Sequence, residues 1–382
     1  MTGGVPRALR IGIDVTAMPR PRAGAGNYMY RLVEALLRLD TAHAFVVFAG
    51  PSDRDAWGVP TPPHRVEPVA AAARVATRLV WEQVRLPMAA LRLRLDLLHS
   101  THYTSPLALG VPSVVTFCDM TFVQRPDLHV RVKRLLFPLL MRASVARARR
   151  LIAISESTRR DMLVTYALDP VRVVTVPLAA GPQWRPQPAD RVRDAASRYG
   201  LTPGAYVLYV GVLEPRKNVP RLVEAFARLA AARPRLVLAL GGKRGWMADA
   251  VDVAIQSAAL GDRIRLLGYV PDADLPALVG GSSVFVYPSL YEGFGLPVLE
   301  AMACGAPVIT TNVSSMPEVA GDGALMVAPD DVTALASAMA RVLDDRTFAV
   351  DLGRRAMAEA GRFSWDRCAR ETVEVYEGCF AT

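Results

Sequence analysis

Two glutamates, Glu292 and Glu300, stand eight positions apart in the stretch YEGFGLPVLEAMACGAPVI, residues 291–309. Gly293-Phe294-Gly295 between them reads as a turn, and Pro297 fits the first turn of a helix that begins near Leu296. Backbone N–H groups at such a helix start form a positive end, and glycines without a Cβ let a ligand come close to them. Glu292, in the loop, is placed to accept hydrogen bonds from sugar hydroxyls. Glu300, about one turn into the helix, is placed to accept both hydroxyls of a ribose, as an acidic residue does in dinucleotide sites. The plainer reading is that both acids merely favour a helix N-terminus.

A second stretch weighs against that plainer reading. In GVLEPRKNV (211–219), Gly211 lets the backbone turn sharply after a strand, and Arg216 and Lys217 follow side by side before a helix. Arginine forks two phosphate oxygens, lysine adds a compact charge, and together they suit a diphosphate. A solvated basic loop is the bland alternative. Lysine, however, occurs only at 133, 217 and 243 in the chain, so its use here is selective.

The elements that must position these residues are short apolar strands alternating with helical patterns. RIGIDV (10–15), AFVVFAG (44–50), LDLLHS (95–100), SVVTFCD (113–119), RLIAISE (150–156) and VRVVTVP (171–177) are strands of a first half. A proline-dense segment, GPQWRPQPAD (181–190), reads as a linker. The alternation then restarts with YVLYVG (206–211), RLVLALGG, IRLLGYV (264–270), SVFVYPS and PVITTN (307–312). This predicts two doubly wound α/β domains with mainly parallel sheets. They would span 1–183 and 184–362, with a terminal helix in 363–382. Ligands of such sheets sit at the carboxyl ends of strands, and a tandem pair offers a cleft between its domains.

Composition narrows the function. The 382 residues are 52% hydrophobic and 21% charged, with a net charge of +9 that favours anionic partners such as nucleotides, phosphates or anionic membranes. No zinc finger, aromatic RNA-binding motif or lysine-rich tail supports a nucleic-acid partner. Cys118, Cys304, Cys368 and Cys379 form no CxxC pair, so neither a disulfide framework nor a zinc site is expected, and a reducing cytoplasm is. The N-terminal MTGGVPRALRIGID lacks a signal-peptide apolar core, and no run is long enough to span a membrane.

The Glu292-x7-Glu300 pattern resembles that of glycosyltransferase family 4, retaining enzymes of the GT-B fold. The likeness runs along nearly the whole chain. It is strongest through YVGVLEPRKN, LGYVPDADLPALV, YPSLYEGFGLPVLEAMACGAPVIT and NVSSMPEVAGDGAL, and includes the C-terminal FSWDRCARETVEVY (363–376). In that family such a terminal helix crosses back onto the first domain. SVVTFCDMTFVQRPD and AISESTRRDM resemble the bacterial mannosyltransferase branch of polysaccharide assembly, in which GDP-mannose is a frequent donor. The resemblance implies that Arg216 and Lys217 hold the donor diphosphate and that Glu300 binds the ribose. It implies that Glu292 and the backbone of Gly293, Phe294, Gly295 and Leu296 hold the donor sugar. It also places the base near Tyr269 and Val270, and has Gly26, in the loop RAGAGNY, let the first domain approach the reacting centre. The implied reaction is a front-face substitution without metal or other cofactor, and the chain shows no arrangement suited to a metal.

One position departs from the family pattern. A histidine usually precedes the aspartate at the end of the strand that reads Thr116-Phe117-Cys118-Asp119 here. Cysteine is a weak donor and carries no positive charge. Asp119, His99 or His102 could compensate, the donor could differ, or the protein could be a nucleotide-sugar-binding scaffold or regulator without turnover. His99 and His102, with Tyr103 in HSTHYTSP, follow a strand and could line the acceptor side. His43 and His64 carry no expected role, and His129 belongs to a helix start. The arginine-rich pattern 131–150 could lie on an anionic membrane and meet a lipid-linked acceptor, or could be a core-packed helix with a basic face interrupted by Pro138.

Overall fold

The computed structural model describes residues 7–19, 22, 24–124 and 131–380. The chain divides into two units, one of Met1–Leu178 with Ser364–Thr382, the other of Ala179–Phe363.

In the first unit seven strands form one sheet: β1 (Arg10–Asp14), β2 (Ala44–Ala49), β3 (Arg65–Pro68), β4 (Leu97–Ser100), β5 (Ser113–Phe117), β6 (Arg150–Ala153) and β7 (Val173–Thr175). They run in the order β3-β2-β1-β4-β5-β6-β7, every pair parallel. Helices cover parallel sheets on both faces, so the central strands are continuous apolar runs such as SVVTF and are wholly buried. The sequence reading did not separate β3, a half-exposed edge strand that ends in proline. Its neighbour β2 packs Phe48 against Trp81, centroids 5.7 Å apart and ring planes tilted by 59°. Around them Val46, Val69, Leu86, Ala90, Leu95 and Leu98 form a core beneath the helical stretch 75–92.

The C-terminal helix Trp365–Gly378 belongs to this first unit. Ser364 caps its start by accepting from Arg367 N. Polar ties hold it, among them Arg150 Nη2 donating to Gly378 O at 3.4 Å. Tyr376 Oη lies 2.7 Å from His99 Nδ1, and Glu377 Oε1 lies 3.2 Å from His43 Nε2. The pattern 131–150 is realised as helix Arg131–Arg147, which carries Pro138 in its interior. Met141, Ser144 and Val145 on it are buried, so this helix has a core face. His129 lies outside the described residues.

In the second unit six strands are all parallel: β8 (Tyr206–Val210), β9 (Val237–Gly241), β10 (Ile264–Gly268), β11 (Val284–Tyr287), β12 (Val308–Thr311) and β13 (Ala324–Val327), ordered β10-β9-β8-β11-β12-β13. The proline-dense segment leads into helix Ala189–Arg198 of this unit. Helices Val219–Ala230 and Leu296–Ala303 both carry proline in the first turn, where its missing N–H costs nothing. Strand order reverses direction between β1 and β4 in the first unit and between β8 and β11 in the second. Each reversal opens a crevice at the strands' carboxyl ends, the general ligand position of such sheets.

Candidate active site

The loops that leave β8 and β11 are the ones that carry the charged residues singled out above. Gly211 leaves β8 under Tyr209, whose hydroxyl would lie 2.6 Å from any Cβ added at 211. Residues Pro215–Lys217 make one turn of 3₁₀ helix, and Asn218 takes a left-handed conformation at φ 58°. The Asn218 side chain donates to Pro288 O at 3.1 Å and Pro329 O at 2.7 Å, holding that conformation in place. The second loop is stitched to the first, because Leu290 N and Ser289 Oγ both donate to Arg216 O.

Glu292 is the hub. Its Oε1 accepts from Lys217 Nζ at 2.5 Å and from Ser289 Oγ at 2.6 Å, and its Oε2 accepts from Arg216 Nη1 at 2.7 Å. Arg216 also donates to Glu214 Oε1 and to Tyr291 O, and Lys217 donates to Tyr287 Oη at 2.6 Å. Lys217 and Glu292 are both buried. Burial alone would raise the Glu292 carboxyl, but Arg216, Lys217 and Ser289 outweigh it and hold the group down at about 2, so it is ionised. Three of the four lone-pair positions of its oxygens are taken by Lys217, Ser289 and Arg216. The sequence places Glu292 against the sugar; the structure shows that its first partners are the two cations.

The turn after Glu292 is braced from the loop after β12. Ser314 Oγ accepts from Glu292 N at 2.9 Å, while Ser315 Oγ donates to Glu292 O and to Phe294 O. Gly295 has φ 102°, and a Cβ there would come within 2.2 Å of Met316 Cε. Phe294 is buried and packs edge-on against Phe363, centroids 5.7 Å apart. Leu296 starts the helix, and Glu300 is its fifth residue, half-buried. After β10, Tyr269 is exposed with Lys243 Nζ 5.1 Å over its ring, whereas Val270 is buried against Gly241. Ser289, Ser314, Ser315 and Asn218 were not singled out from sequence. The serines lie inside stretches that carry the family resemblance, but Ser289 also reaches Arg216, 73 positions away, and Ser314 and Ser315 reach the 292–294 turn, 21 to 23 positions away.

The first unit treats its candidates differently. His99 is fully buried, and its Nε2 lies 2.8 Å from Thr116 Oγ1 while Nδ1 faces Tyr376. Burial pushes its pKa to about 3, so the imidazole is neutral. The acceptor-side expectation for His99 is therefore corrected: both ring nitrogens join strands to the terminal helix and no face is open. Tyr103 is corrected likewise, since it is buried among Phe117 and Phe122 with φ 57°. His102 is half-buried against the Tyr103 ring. Cys118 is buried, and burial followed by the nearby Asp119 charge raises its thiol well above the usual range, so it is neither nucleophile nor cation. Asp119 Oδ1 accepts from Thr121 N and Oγ1, which starts the next short helix. Gly26 is buried in the first turn of helix Ala25–Arg38, where a Cβ would sit 3.1 Å from the Pro19 ring. All four cysteines are free and buried.

Sequence reading also passed over a buried polar group at the ends of β1 and β4. Glu82 accepts from Arg78 Nη1 and Thr104 Oγ1, both at 2.8 Å, and Asp14 accepts from Thr16 N and Oγ1. Burial raises both carboxyls, against the pull of Arg78. Among the described residues no three histidines, cysteines or acids gather as metal ligands.

Two family models match the chain, Glycosyltransferase Family 4 over residues 22–180 and Glycosyl transferases group 1 over 198–361. O-antigen chain mannosyltransferase B of Escherichia coli is 36% identical over 266 residues, which is 69% of this chain and 70% of that protein. The chain belongs to glycosyltransferase family 4. D-inositol 3-phosphate glycosyltransferase of Salinispora tropica is 34% identical over 61% of this chain and 51% of its own length. Two solved structures show the fold. Sucrose-phosphate synthase from Thermosynechococcus elongatus superposes with TM-score 0.77 at 22% identity, over 97% of this chain and 99% of that one. Anabaena HepE, in complex with UDP and glucose, superposes with TM-score 0.76 at 16% identity, over 97% and 100%. The two α/β units are those of a GT-B glycosyltransferase, and the family member is a hexosyltransferase.

Proposed function

We propose that this glycosyltransferase moves mannose from GDP-mannose to a hydroxyl of a growing, lipid-linked glycan, with retention at the anomeric carbon and without a metal. The observation that carries this reading is the cluster of half-buried Arg216 with buried Lys217 and Glu292 at the β8–β11 switch point. Two cations held rigidly by one carboxylate are preorganised for the charge that develops on a leaving diphosphate. The named activities of relatives, mannosyltransferase B and the serotype-specific mannosyltransferase WbdA of Escherichia coli, support the sugar.

In the proposed step the bond from the sugar C1 to the phosphate oxygen breaks as a bond from C1 to the acceptor oxygen forms on the same face. The acceptor proton passes to the departing phosphate oxygen, and Arg216 and Lys217 carry the charge left there. Glu300 would take the ribose hydroxyls, the 293–296 backbone the sugar, and Tyr269 and Val270 the base. On the first unit the loop before Gly26 would approach the reacting centre and half-buried His102 would border the acceptor, with Cys118 and Asp119 at the end of β5. A second reading, a binder without turnover, is favoured by the neutral thiol of Cys118 where the family has a histidine.

The test is incubation of the purified chain with GDP-mannose, UDP-glucose, ADP-glucose and dTDP-glucose and a mannosyl acceptor, with and without EDTA. Transfer from GDP-mannose alone, unchanged by EDTA and giving an α-linked product by NMR, supports the proposal. GDP binding without sugar consumption would favour the binder. For the ribose contact, Glu300→Ala is expected to weaken GDP by about 10- to 100-fold, the worth of charged hydrogen bonds. Calorimetry showing unaltered GDP affinity in that variant would remove Glu300 from the site.

A further inference from the structure

We infer that the outer face of the helical stretch 75–92, in the first unit, is the surface by which the enzyme seats on an anionic lipid bilayer. The stretch comprises helix Val75–Val80, a π-helical turn Trp81–Arg85 and helix Leu86–Arg92. Its inner side, with Trp81, Leu86 and Ala90, fills the core against Val46, Phe48 and Val69. Its other side is apolar as well. Val80, Val84, Met88 and Leu91 are 64%, 54%, 56% and 66% exposed. Their spacing of four, four and three places them on one face, and exposed Leu107 lies in the loop whose Leu109 and Val111 pack on the same core. Single exposed apolar side chains are ordinary, but an aligned row of this kind marks an interaction surface.

The charges around the row identify the occupant. Arg74, Arg85, Arg92 and Arg94 are exposed, and Glu82, the one acid between 74 and 94, is buried and neutralised by Arg78. The exposed side of this stretch is therefore apolar and wholly cationic, the make-up of a helix that lies in a lipid interface and is drawn by anionic headgroups. A second copy is a poor fit, because a two-fold contact would set these arginines against their own counterparts. The helix lies in the interface plane and does not cross it, since no helix among the described residues is long and apolar enough to do so. The inference does not depend on which donor the enzyme uses. It also differs from the expectation for 131–150, where the buried Met141 and Val145 mark a packed face.

The test is co-sedimentation of the full chain with phosphatidylcholine vesicles, with and without phosphatidylglycerol, at low and high salt. The wild type is expected to sediment with the anionic vesicles only, and to be released by salt. Arg85→Gln with Arg92→Gln should lower that partition by about 30-fold. Val84→Ser with Met88→Ser should lower it by about 10-fold. These positions are exposed, so both variants should melt and give circular dichroism like the wild type. Failure of the wild type to bind anionic vesicles would overturn the inference. So would partition unchanged in both variants, or a wild-type dimer that the serine variant dissociates in the absence of lipid.

Discussion

Glu292→Gln is expected to cut transfer by about 100- to 1,000-fold, because the two cations that should meet the leaving diphosphate are aimed by that carboxylate. The amide keeps the shape and one acceptor oxygen but removes the charge. Arg216 retains the Glu214 carboxylate at 2.9 Å, whereas Lys217 is left with neutral partners, Tyr287 Oη and the amide oxygen. Leaving a buried cation without its carboxylate costs about 3 kcal/mol or more, so the unfolding transition of the second unit should fall by roughly 6–12 °C. A pH series separates this from a packing defect. The Glu292 carboxyl titrates at about 2 in the folded protein against an ordinary 4.5. A depressed folded value means that its stabilisation is fully present above pH 4.5 and is lost as pH falls from 4.5 towards 2. Denaturation midpoints of the wild type should drop across that window, and those of the glutamine variant should drop less. Wild-type turnover in the variant would show that the cations need no such anchor.

What the sequence reveals about this molecule depends on how locally each feature is encoded. Central parallel strands are legible because both faces are covered, so YVLYV or SVVTF reads as an unbroken apolar run. The edge strands RVEP and ALMV escaped, since a partly exposed strand of four residues has no such signature. Arg216, Lys217 and Glu292 were legible as charges at strand ends, but their mutual grip was not, because it joins residues 75 and 76 positions apart. His99 shows the opposite failure. A polar residue at a strand's end looks like a site residue, and only its bonds to Thr116 and to Tyr376, 277 positions away, reveal it as core. The stretch 75–92 is apolar on two sides, so its periodicity could not say which side the fold covers.

Lys217→Met should lower both the rate and the affinity for the nucleoside diphosphate, each by about 100-fold. The reasoning starts from where the ammonium sits. Its stem is buried, its charge lies 5.1 Å from the Tyr287 ring, and its Nζ bridges Tyr287 Oη and Glu292. Methionine fills nearly the same volume, so the loop should keep its shape, and Glu292 stays paired with Arg216 at 2.7 Å. The variant therefore removes one charge with little repacking, unlike Glu292→Gln, which leaves charge unmatched. Calorimetry with GDP and with guanosine then divides two roles. If Lys217 touches the diphosphate, GDP binding falls and guanosine binding does not. If GDP affinity is kept while turnover collapses, the lysine acts on the substrate only through Glu292. Lys217→Arg is not expected to restore function, because a planar fork needs room on both sides. That room is absent here, since Arg216 already occupies the other oxygen of Glu292 and Ser289 shares the first.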